Sequence, residues 1–338
     1  MKVYLTPIDE TELLSILKAR SIYSGTHSLV ETPESADLIL ILGSFLRDPN
    51  VMLDHPCYRA FPDRCAVYTE DDHYYPIVPG IFCSPRVDQH TRAGRVFSYT
   101  YLSRNGRYQN PYLAEVQSAT PIVRPKKYLF TFQGGSTSLV RKRMFNLRFN
   151  RADVLIENTS SYHHWEDTQG GREERQASYA EMLAASHFVL CPRGAGTGSI
   201  RFFEVMAAGV APVLISDNYA LPPGPDWDKF LLRVRERDIA RLPEILEPHL
   251  GSAAERGRLA RLAFLEHFSV RHEFDRVIEL AALSLRHGQP SEQYFRKRQA
   301  TIIRHERFRL WARTAFRNAI LRGLRILHLK NPYQMNRP

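Results

Sequence analysis

Short hydrophobic runs alternate along the chain with stretches in which apolar residues recur at helical spacing. The runs are rich in Val, Ile and Leu, and they predict strands at 37–42, 65–69, 128–132, 153–156, 187–191 and 211–216. Continuous apolar runs of this kind are typical of parallel strands that are covered on both faces. The periodic stretches predict helices at 9–20, 139–149, 176–186 and 199–208, with Asp9 and Ser199 as N-caps. This alternation predicts an α/β protein with doubly wound parallel sheets.

Two domains are predicted from the length of 338 residues and from a break in this pattern. The break is a polar stretch with three prolines, from Arg104 to Lys127, which separates the first group of strands from the second. The predicted units are residues 1–122 and 123–275, both Rossmann-like, followed by C-terminal helices over 276–338. Beyond about residue 235 the pattern is wholly helical, with segments near 236–249, 253–267, 270–287 and 296–328.

The net charge of +10 is confined to the C-terminal part of the chain. Residues 296–330 contain eleven Lys and Arg and a single acid, Glu306, which accounts for the whole excess. The body of the chain is formally neutral, so no nucleic-acid partner is predicted. From Phe308 to Leu327 apolar residues recur every three or four positions among arginines, which predicts a basic amphipathic helix. Such a helix binds an anionic membrane surface, and the alternative is that its apolar face packs on the protein.

A cytoplasmic location is predicted from three absences in the sequence. The four cysteines form no CxxC pair, so reduced thiols are expected. No run reaches the roughly 18 apolar residues of a transmembrane helix. The N-terminus turns acidic at Asp9 and lacks the apolar core of a signal peptide. Together with the basic tail, this predicts a protein that is peripheral on the inner membrane.

The segment 179–228 carries the pattern with the most chemical content. A buried strand is followed by the glycine-rich loop CPRGAGTGS and then by a helix that starts at Ser199. Glycines let the backbone approach a ligand, and a helix N-terminus attracts anions. Arg193 and Arg201 add guanidinium groups, which suit a diphosphate. Glu204 lies one turn after Arg201, where it can bind a ribose diol or form an ordinary ion pair with that arginine.

The order and spacing of these residues resemble the C-terminal part of the exostosin family, glycosyltransferase family 47. The shared positions are Tyr179 to Leu183, Phe188, Leu190, Pro192 to Gly194, Gly198, Ser199, Arg201, Phe202, Glu204, Ala208, Pro212, Val213, Leu221, Pro222, Asp226 and Trp227. Residues 127–135 and Arg141 resemble an upstream strand, glycine turn and helix of the family. The resemblance is specific over about 125–235.

The resemblance implies a GT-B fold, in which two Rossmann-like domains face each other across a cleft, here with a helical C-terminal extension. It implies an inverting glycosyltransferase that needs no metal or other cofactor and holds its nucleotide sugar in the second domain. The implied donor-binding residues are Gly134, Arg141, Arg193, Gly194, Gly198, Ser199, Arg201 and Glu204.

A UDP-sugar and a glycan or lipid-linked glycan acceptor, in the synthesis of a bacterial surface polysaccharide, are the first expectation for the substrates. Two alternatives stay open. One is a GDP-sugar-dependent enzyme of the fucosyltransferase kind. The other is a non-catalytic nucleic-acid-binding or membrane-binding protein on an enzyme fold.

An inverting transfer also needs a general base on the acceptor side. The acidic cluster after strand 65–69 supplies the candidates, because active-site loops leave the carboxyl ends of parallel strands. Asp72 is the predicted base, and Asp71, His73 and Trp165 are acceptor-side candidates. The alternative for the cluster is a solvated turn with an aspartate cap. His55 and Glu157 are further candidates for the base, and the cluster could also bind a metal ion through Glu70, Asp72 and His73.

Overall fold

The computed structural model describes residues 1–8, 11–45, 48–106, 108–113, 125–160, 169–286 and 292–326. The first part of the chain forms a six-stranded parallel sheet. Its strands are β1 (Lys2–Pro7), β2 (Ser28–Leu29), β3 (Leu38–Leu42), β4 (Cys65–Thr69), β5 (Gly80–Phe82) and β6 (Val96–Ser98), in the order β2-β1-β3-β4-β5-β6. The helices of this domain are α1 (Thr11–Arg20), α2 (Asn50–Asp54), α3 (Pro56–Ala60) and α4 (Gln89–Arg92), with 3-10 turns at Ser21–Tyr23 and Leu102–Asn105. The central strands β3 and β4 are buried along their whole length, as their unbroken apolar sequences predict.

A second parallel sheet follows, with five strands. They are β7 (Tyr128–Gly134), β8 (Val154–Asn158), β9 (Ser186–Pro192), β10 (Ala211–Ile215) and β11 (Leu232–Arg233), in the order β11-β10-β9-β7-β8. The helices that accompany it are α5 (Leu139–Phe145), α6 (Gln169–Ala184), α7 (Ile200–Ala207), α8 (Leu242–Leu246) and α9 (Ala253–His267), with 3-10 turns at Trp227–Lys229, Glu236–Arg241 and Glu247–Ser252. Helix α9 packs on α7 and β10, and so covers one face of this sheet.

The chain then returns to the first domain. Helix α10 (Val270–Arg286) packs on β4 and β5 of the first sheet and on α1. Its buried face includes Phe274, Val277 and Ile278. The final helices, α11 (Glu292–Arg296) and α12 (Gln299–Ile326), also contact the first domain, where Phe295 and Ile303 are buried. The predicted boundary at residue 275 falls inside α10, and the predicted cut at 122 lies outside the described residues.

The two sheets meet at the carboxyl ends of their strands. The loop after β9 contacts the loops after β4 and β5, with Gly196 N donating to Asp72 Oδ1 at 3.2 Å. Tyr219 Oη, after β10, lies 2.8 Å from Ser98 Oγ at the end of β6. Two parallel sheets that face each other in this way are the GT-B arrangement, so the predicted fold class is confirmed.

All six predicted strands are present, within one or two residues of their predicted bounds. The helix predicted at 139–149 ends at Phe145, and the helix predicted at 176–186 runs from Gln169 to Ala184 instead. Ser186 already belongs to β9, where its Oγ lies 2.8 Å from Thr131 Oγ1 of β7. The short strand β5 was not predicted because it begins at Gly80, with φ of +146°. A Cβ at Gly80 would lie 2.2 Å from Val67 O of β4, so the close strand contact requires glycine.

Candidate functional site

The glycine-rich loop between β9 and α7 packs against the first domain. Thr197 Oγ1 donates to Pro85 O at 2.9 Å, and Gly198 N donates to Ser84 Oγ at 3.3 Å. A Cβ at Gly198 would lie 2.6 Å from Cys83 O, and one at Gly196 would lie 2.6 Å from Ser84 Oγ. These glycines therefore allow a close approach of the two domains. The ligand approach that the sequence suggested for Gly198 is not what its surroundings show.

A pocket of about 270 Å³ lies beside this loop, mostly in the second domain. It is bordered by the end of β7, by α6 and by the first turns of α7. We call it the arginine pocket and define it by Gly134, Arg141, Tyr179, Arg201 and Glu204. Four of the predicted donor-binding residues thus come together, although they are spread over about 70 positions of the sequence.

Arg201 is held at the floor of the arginine pocket by contacts with β7. Its Nη2 donates to Gln133 O at the end of β7, and its guanidinium carbon lies 4.7 Å from the centre of the Phe132 ring. A Cβ at Gly134 would lie 2.9 Å from Arg201 Nη2, so this position of the guanidinium requires glycine. Arg201 Nε is buried and has no hydrogen-bond partner among the described residues. A buried donor of this kind is costly unless a ligand satisfies it.

Arg141 brings a second guanidinium to the same pocket. Its Nη2 and Nε donate to Pro192 O at 3.0 and 3.3 Å, and its Nη1 donates to Gly135 O at 3.3 Å. Burial lowers the pKa of Arg141 to about 9, and the neighbouring Arg201 cation adds to the lowering. Arg141 therefore remains charged at neutral pH. In the described part of the chain, they donate to backbone carbonyls and one serine hydroxyl and to no carboxylate.

Glu204 supplies a hydrogen-bond acceptor, its side-chain carboxylate, to the arginine pocket. It lies on α7 one turn after Arg201 and is buried. Tyr179 Oη on α6 donates to Glu204 Oε2 at 2.8 Å. Burial raises the pKa of Glu204, whereas the Arg201 cation and the tyrosine hydrogen bond lower it. One carboxylate oxygen thus has a fixed protein donor, which orients the group for a ligand hydroxyl.

Ser199, Gly194 and Arg193 do not line the arginine pocket, although Ser199 is the N-cap residue of α7 as predicted. Ser199 is the residue before α7, but its side chain makes no capping hydrogen bond; its Oγ lies 3.5 Å from Arg141 Nη2. A Cβ at Gly194 would meet nothing closer than 3.8 Å. Arg193 points away from the arginine pocket and forms a two-pronged ion pair with Glu236, with distances of 2.6 and 3.1 Å. Arg193 and Arg201 therefore do not converge on one ligand site.

The acidic cluster after β4 divides into structural and accessible groups. Asp71 accepts hydrogen bonds from Ser44 Oγ at 2.5 Å and from Phe45 N at 3.1 Å, and burial raises its pKa. Asp72 is exposed, and with His73 it lines a second pocket between the domains. The described residues hold no group of three His, Cys, Asp or Glu side chains that suits a metal ion.

The other base candidates differ in their surroundings. His55 Nδ1 accepts from Cys57 N at 3.2 Å and its Nε2 lies 3.3 Å from Pro7 O, so the ring joins two backbone segments. Burial lowers the pKa of His55. Glu157 on β8 accepts from Gln133 Nε2 at 2.8 Å, next to the arginine pocket. Trp165 lies outside the described residues.

The C-terminal helix is anchored on the first domain and presents two aromatic side chains to solvent. Ile303 and Glu306 of α12 are both 6% exposed. Phe308 and Trp311 are 60% and 64% exposed, and their ring centres lie 5.6 Å apart. The first turns of this helix thus pack on the protein, as one of the two alternatives predicts. The aromatic pair does not, and it is free for the other alternative, contact with a membrane surface. Over the described residues, no helix combines the length and the apolar character that crossing a membrane requires.

Two groups of site residues were not predicted. Tyr179 and Gln133 orient Glu204 and Arg201, yet Tyr179 was predicted only as a helix residue shared with the exostosin family, and Gln133 only as part of the upstream segment 127–135. Glu306, Phe308 and Arg309 line the second pocket more than 200 positions after Asp72, and no local pattern relates them to it.

The facing parallel sheets define a GT-B protein, and the paired arginines give its second domain a pocket that suits a phosphorylated ligand. Residues 89–248 match the family model of the exostosin GT47 domain. The predicted resemblance to the exostosin GT47 family is thereby confirmed over these residues. The match begins well before residue 125, where the specific part of the resemblance was predicted to start.

The chain is similar to several known proteins. An exostosin-1 homolog of Caenorhabditis elegans is 36% identical over 135 residues, 36% of this chain and 35% of that protein. A probable glycosyltransferase of Arabidopsis thaliana is 41% identical over 70 residues, 20% of this chain and 15% of that protein. The chain thus spans only about a third or less of these relatives. A solved glycosyltransferase from Rickettsia africae is 11% identical and superposes with a TM-score of 0.45 over 84% of this chain and 98% of its own.

Proposed function

We propose that this protein is an inverting glycosyltransferase whose nucleotide diphosphate sugar binds in the arginine pocket. The observation that carries the proposal is the convergence of Arg141 and Arg201, which have no carboxylate partner in the described part of the chain, beside the buried carboxylate of Glu204. The guanidinium groups suit the two phosphates, and the Glu204 carboxylate suits the ribose hydroxyls. A UDP-sugar is the first choice and a GDP-sugar the second.

The transfer itself is a displacement at the anomeric carbon. An acceptor hydroxyl oxygen forms a bond to that carbon as the bond to the diphosphate oxygen breaks, and the acceptor proton passes to the Asp72 carboxylate. The leaving diphosphate gains negative charge, which the fixed Arg141 and Arg201 cations stabilise. Because these cations can take the part that a metal plays in other transferases, we propose that the reaction is metal-independent.

The acceptor is proposed to be a glycan or a lipid-linked glycan of a bacterial surface polysaccharide. Support for a membrane-bound acceptor comes from the exposed pair Phe308 and Trp311 in a tail that carries the whole net charge of the chain. Support for a cytoplasmic site at the inner membrane comes from the four cysteines, all of which are free thiols in the structure.

A thermal-shift screen of the whole chain against UDP, GDP and CMP tests the donor proposal. UDP or GDP should raise the melting temperature, and the one that does so identifies the nucleotide. Arg201→Ala should weaken binding at least tenfold, since a hydrogen bond to a charged group contributes about 1.5–3 kcal/mol. Arg143→Ala is the matched control, because Arg143 is an exposed arginine on α5 outside the pocket. A chain that no nucleotide stabilises would rule the proposal out.

A further inference from the structure

A second pocket, of about 500 Å³, lies between the two domains and is bordered by the same glycine-rich loop. Loops at the carboxyl ends of β4 and β5 form one wall, loops after β9 and β10 form another, and α12 forms a third. We call it the interdomain pocket and define it by Asp72, Ser84, Arg193, Asn218, Phe308 and Arg309. Its volume falls in the range of small-ligand sites.

The wall from α12 is fixed in place by buried contacts. Arg86, after β5, donates to the Glu306 carboxylate of α12 and lies 4.9 Å above the Tyr74 ring. Glu306 and Ile303 are almost fully buried against the first domain. The helix therefore stands in one position, with Phe308, Arg309, Leu310 and Ala312 over the pocket.

Each arginine that lines the interdomain pocket lies near a carboxylate. Arg193 pairs with Glu236 at 2.6 Å, Arg86 pairs with Glu306, and Arg309 lies 3.9 Å from Glu306. Asp72 and Asp217 accept backbone N–H groups, from Gly196 at 3.2 Å and Glu236 at 3.0 Å. A negatively charged ligand gains little here, because each lining arginine already has a carboxylate neighbour.

The arginine pocket contrasts with this arrangement. Its two guanidinium groups have no carboxylate partner among the described residues, as an anionic donor requires. The interdomain pocket instead offers paired charges, the hydroxyls of Ser84 and Thr197, and the amide of Asn218. Groups of both hydrogen-bonding types, next to an aromatic ring, match a ligand that is rich in neutral hydroxyls.

We infer that the interdomain pocket binds the acceptor as an uncharged oligosaccharide, and that α12 is one of its walls. The inference rests on the proposed function and adds to it the class of acceptor and the part played by the C-terminal helix. It places the base candidate Asp72 in the pocket that holds the acceptor.

Binding of the labelled whole chain to an array of neutral and uronic-acid-containing oligosaccharides tests this inference. Wild type should bind neutral glycans. Ala312→Trp, which puts an indole over the pocket, should weaken that binding at least tenfold. Thr314→Trp is the matched control, because position 314 lies on the opposite side of the helix and is exposed. Asn218→Trp fills the pocket from the opposite wall and should also weaken glycan binding at least tenfold. It keeps the test valid if Ala312→Trp folds poorly.

The outcomes separate this inference from the donor proposal. Selective binding of uronic-acid glycans, binding that both pocket-filling variants retain, or no glycan binding at all would overturn it. UDP or GDP binding is measured on the same samples and should persist in Ala312→Trp. A chain that binds neutral glycans through this pocket but binds no nucleotide would refute the donor proposal and leave the glycan site standing.

Discussion

Gly194 and Gly198 stand four positions apart in one loop, yet a side chain would meet different surroundings at each. A Cβ at Gly198 would overlap Cys83 O and lie 2.8 Å from Tyr101 Oη, whereas a Cβ at Gly194 has room. The sequence presents both as members of a flexible, ligand-approaching loop. Only the packing of the first domain distinguishes them, and that contact joins residues more than 100 positions apart.

Gly198→Ala should destabilise the protein by about 1–3 kcal/mol, the usual cost of overpacking. Gly194→Ala should be nearly neutral, because its new methyl group would make only ordinary contacts. Urea unfolding of the two variants at neutral pH measures the difference. Equal losses of stability would show that the loop is not constrained by the contact between the domains.

At the scale of helices and strands, some features of the fold and of the site could be predicted from the sequence and others could not. The six strands were predictable because each is a continuous apolar run that both faces of a sheet bury, as Leu38 to Leu42 illustrate. The two arginines and Glu204 of the pocket were predictable from their spacing and the family resemblance. The direction of Arg193 was not, because it depends on Glu236 in a 3-10 turn that carries no sequence signal for pairing.

Helix α12 shows the same limit for a whole element. Its amphipathic pattern predicts an apolar face but does not indicate what covers that face. In the structure Ile303 is buried in the first domain, whereas Phe308 and Trp311 are open. Removing the tail would uncover the first domain, so substitutions are the sharper test of membrane binding.

The double variant Phe308→Ser with Trp311→Ser should reduce sedimentation with phosphatidylglycerol-containing vesicles at least tenfold. The reason is that burying each aromatic side chain contributes about 1.5–3 kcal/mol. Leu262→Ser with Leu265→Ser, an exposed apolar pair on α9, is the matched control. Undiminished vesicle binding by the aromatic variant would refute membrane binding through these two rings.

At the scale of the whole molecule, the C-terminal helices stabilise the fold through buried contacts with the first domain. His90 on α4 is 3% exposed, and its ring centre lies 4.8 Å from that of Phe295 on α11. Burial, together with the Arg95 and Arg86 cations, lowers the pKa of His90 from the ordinary 6.5 to about 3. The folded chain thus holds this histidine neutral where the unfolded chain protonates it.

The contribution of His90 to the free energy of unfolding should therefore decrease as the pH falls. Between pH 6.5 and about 3 the unfolded state binds the extra proton, so the contribution of His90 is complete above pH 6.5 and declines as the pH falls. At pH 5 the loss is about 2 kcal/mol.

His90→Gln removes this titration, so the free energy of unfolding should fall less between pH 7 and pH 5 in the variant than in the wild type. Urea unfolding at the two pH values measures both differences, and the absolute stability of the variant at pH 7 does not enter the comparison. Parallel losses in the two proteins would mean that the His90 ring is protonated in the folded state, and that the contact with Phe295 tolerates a charge.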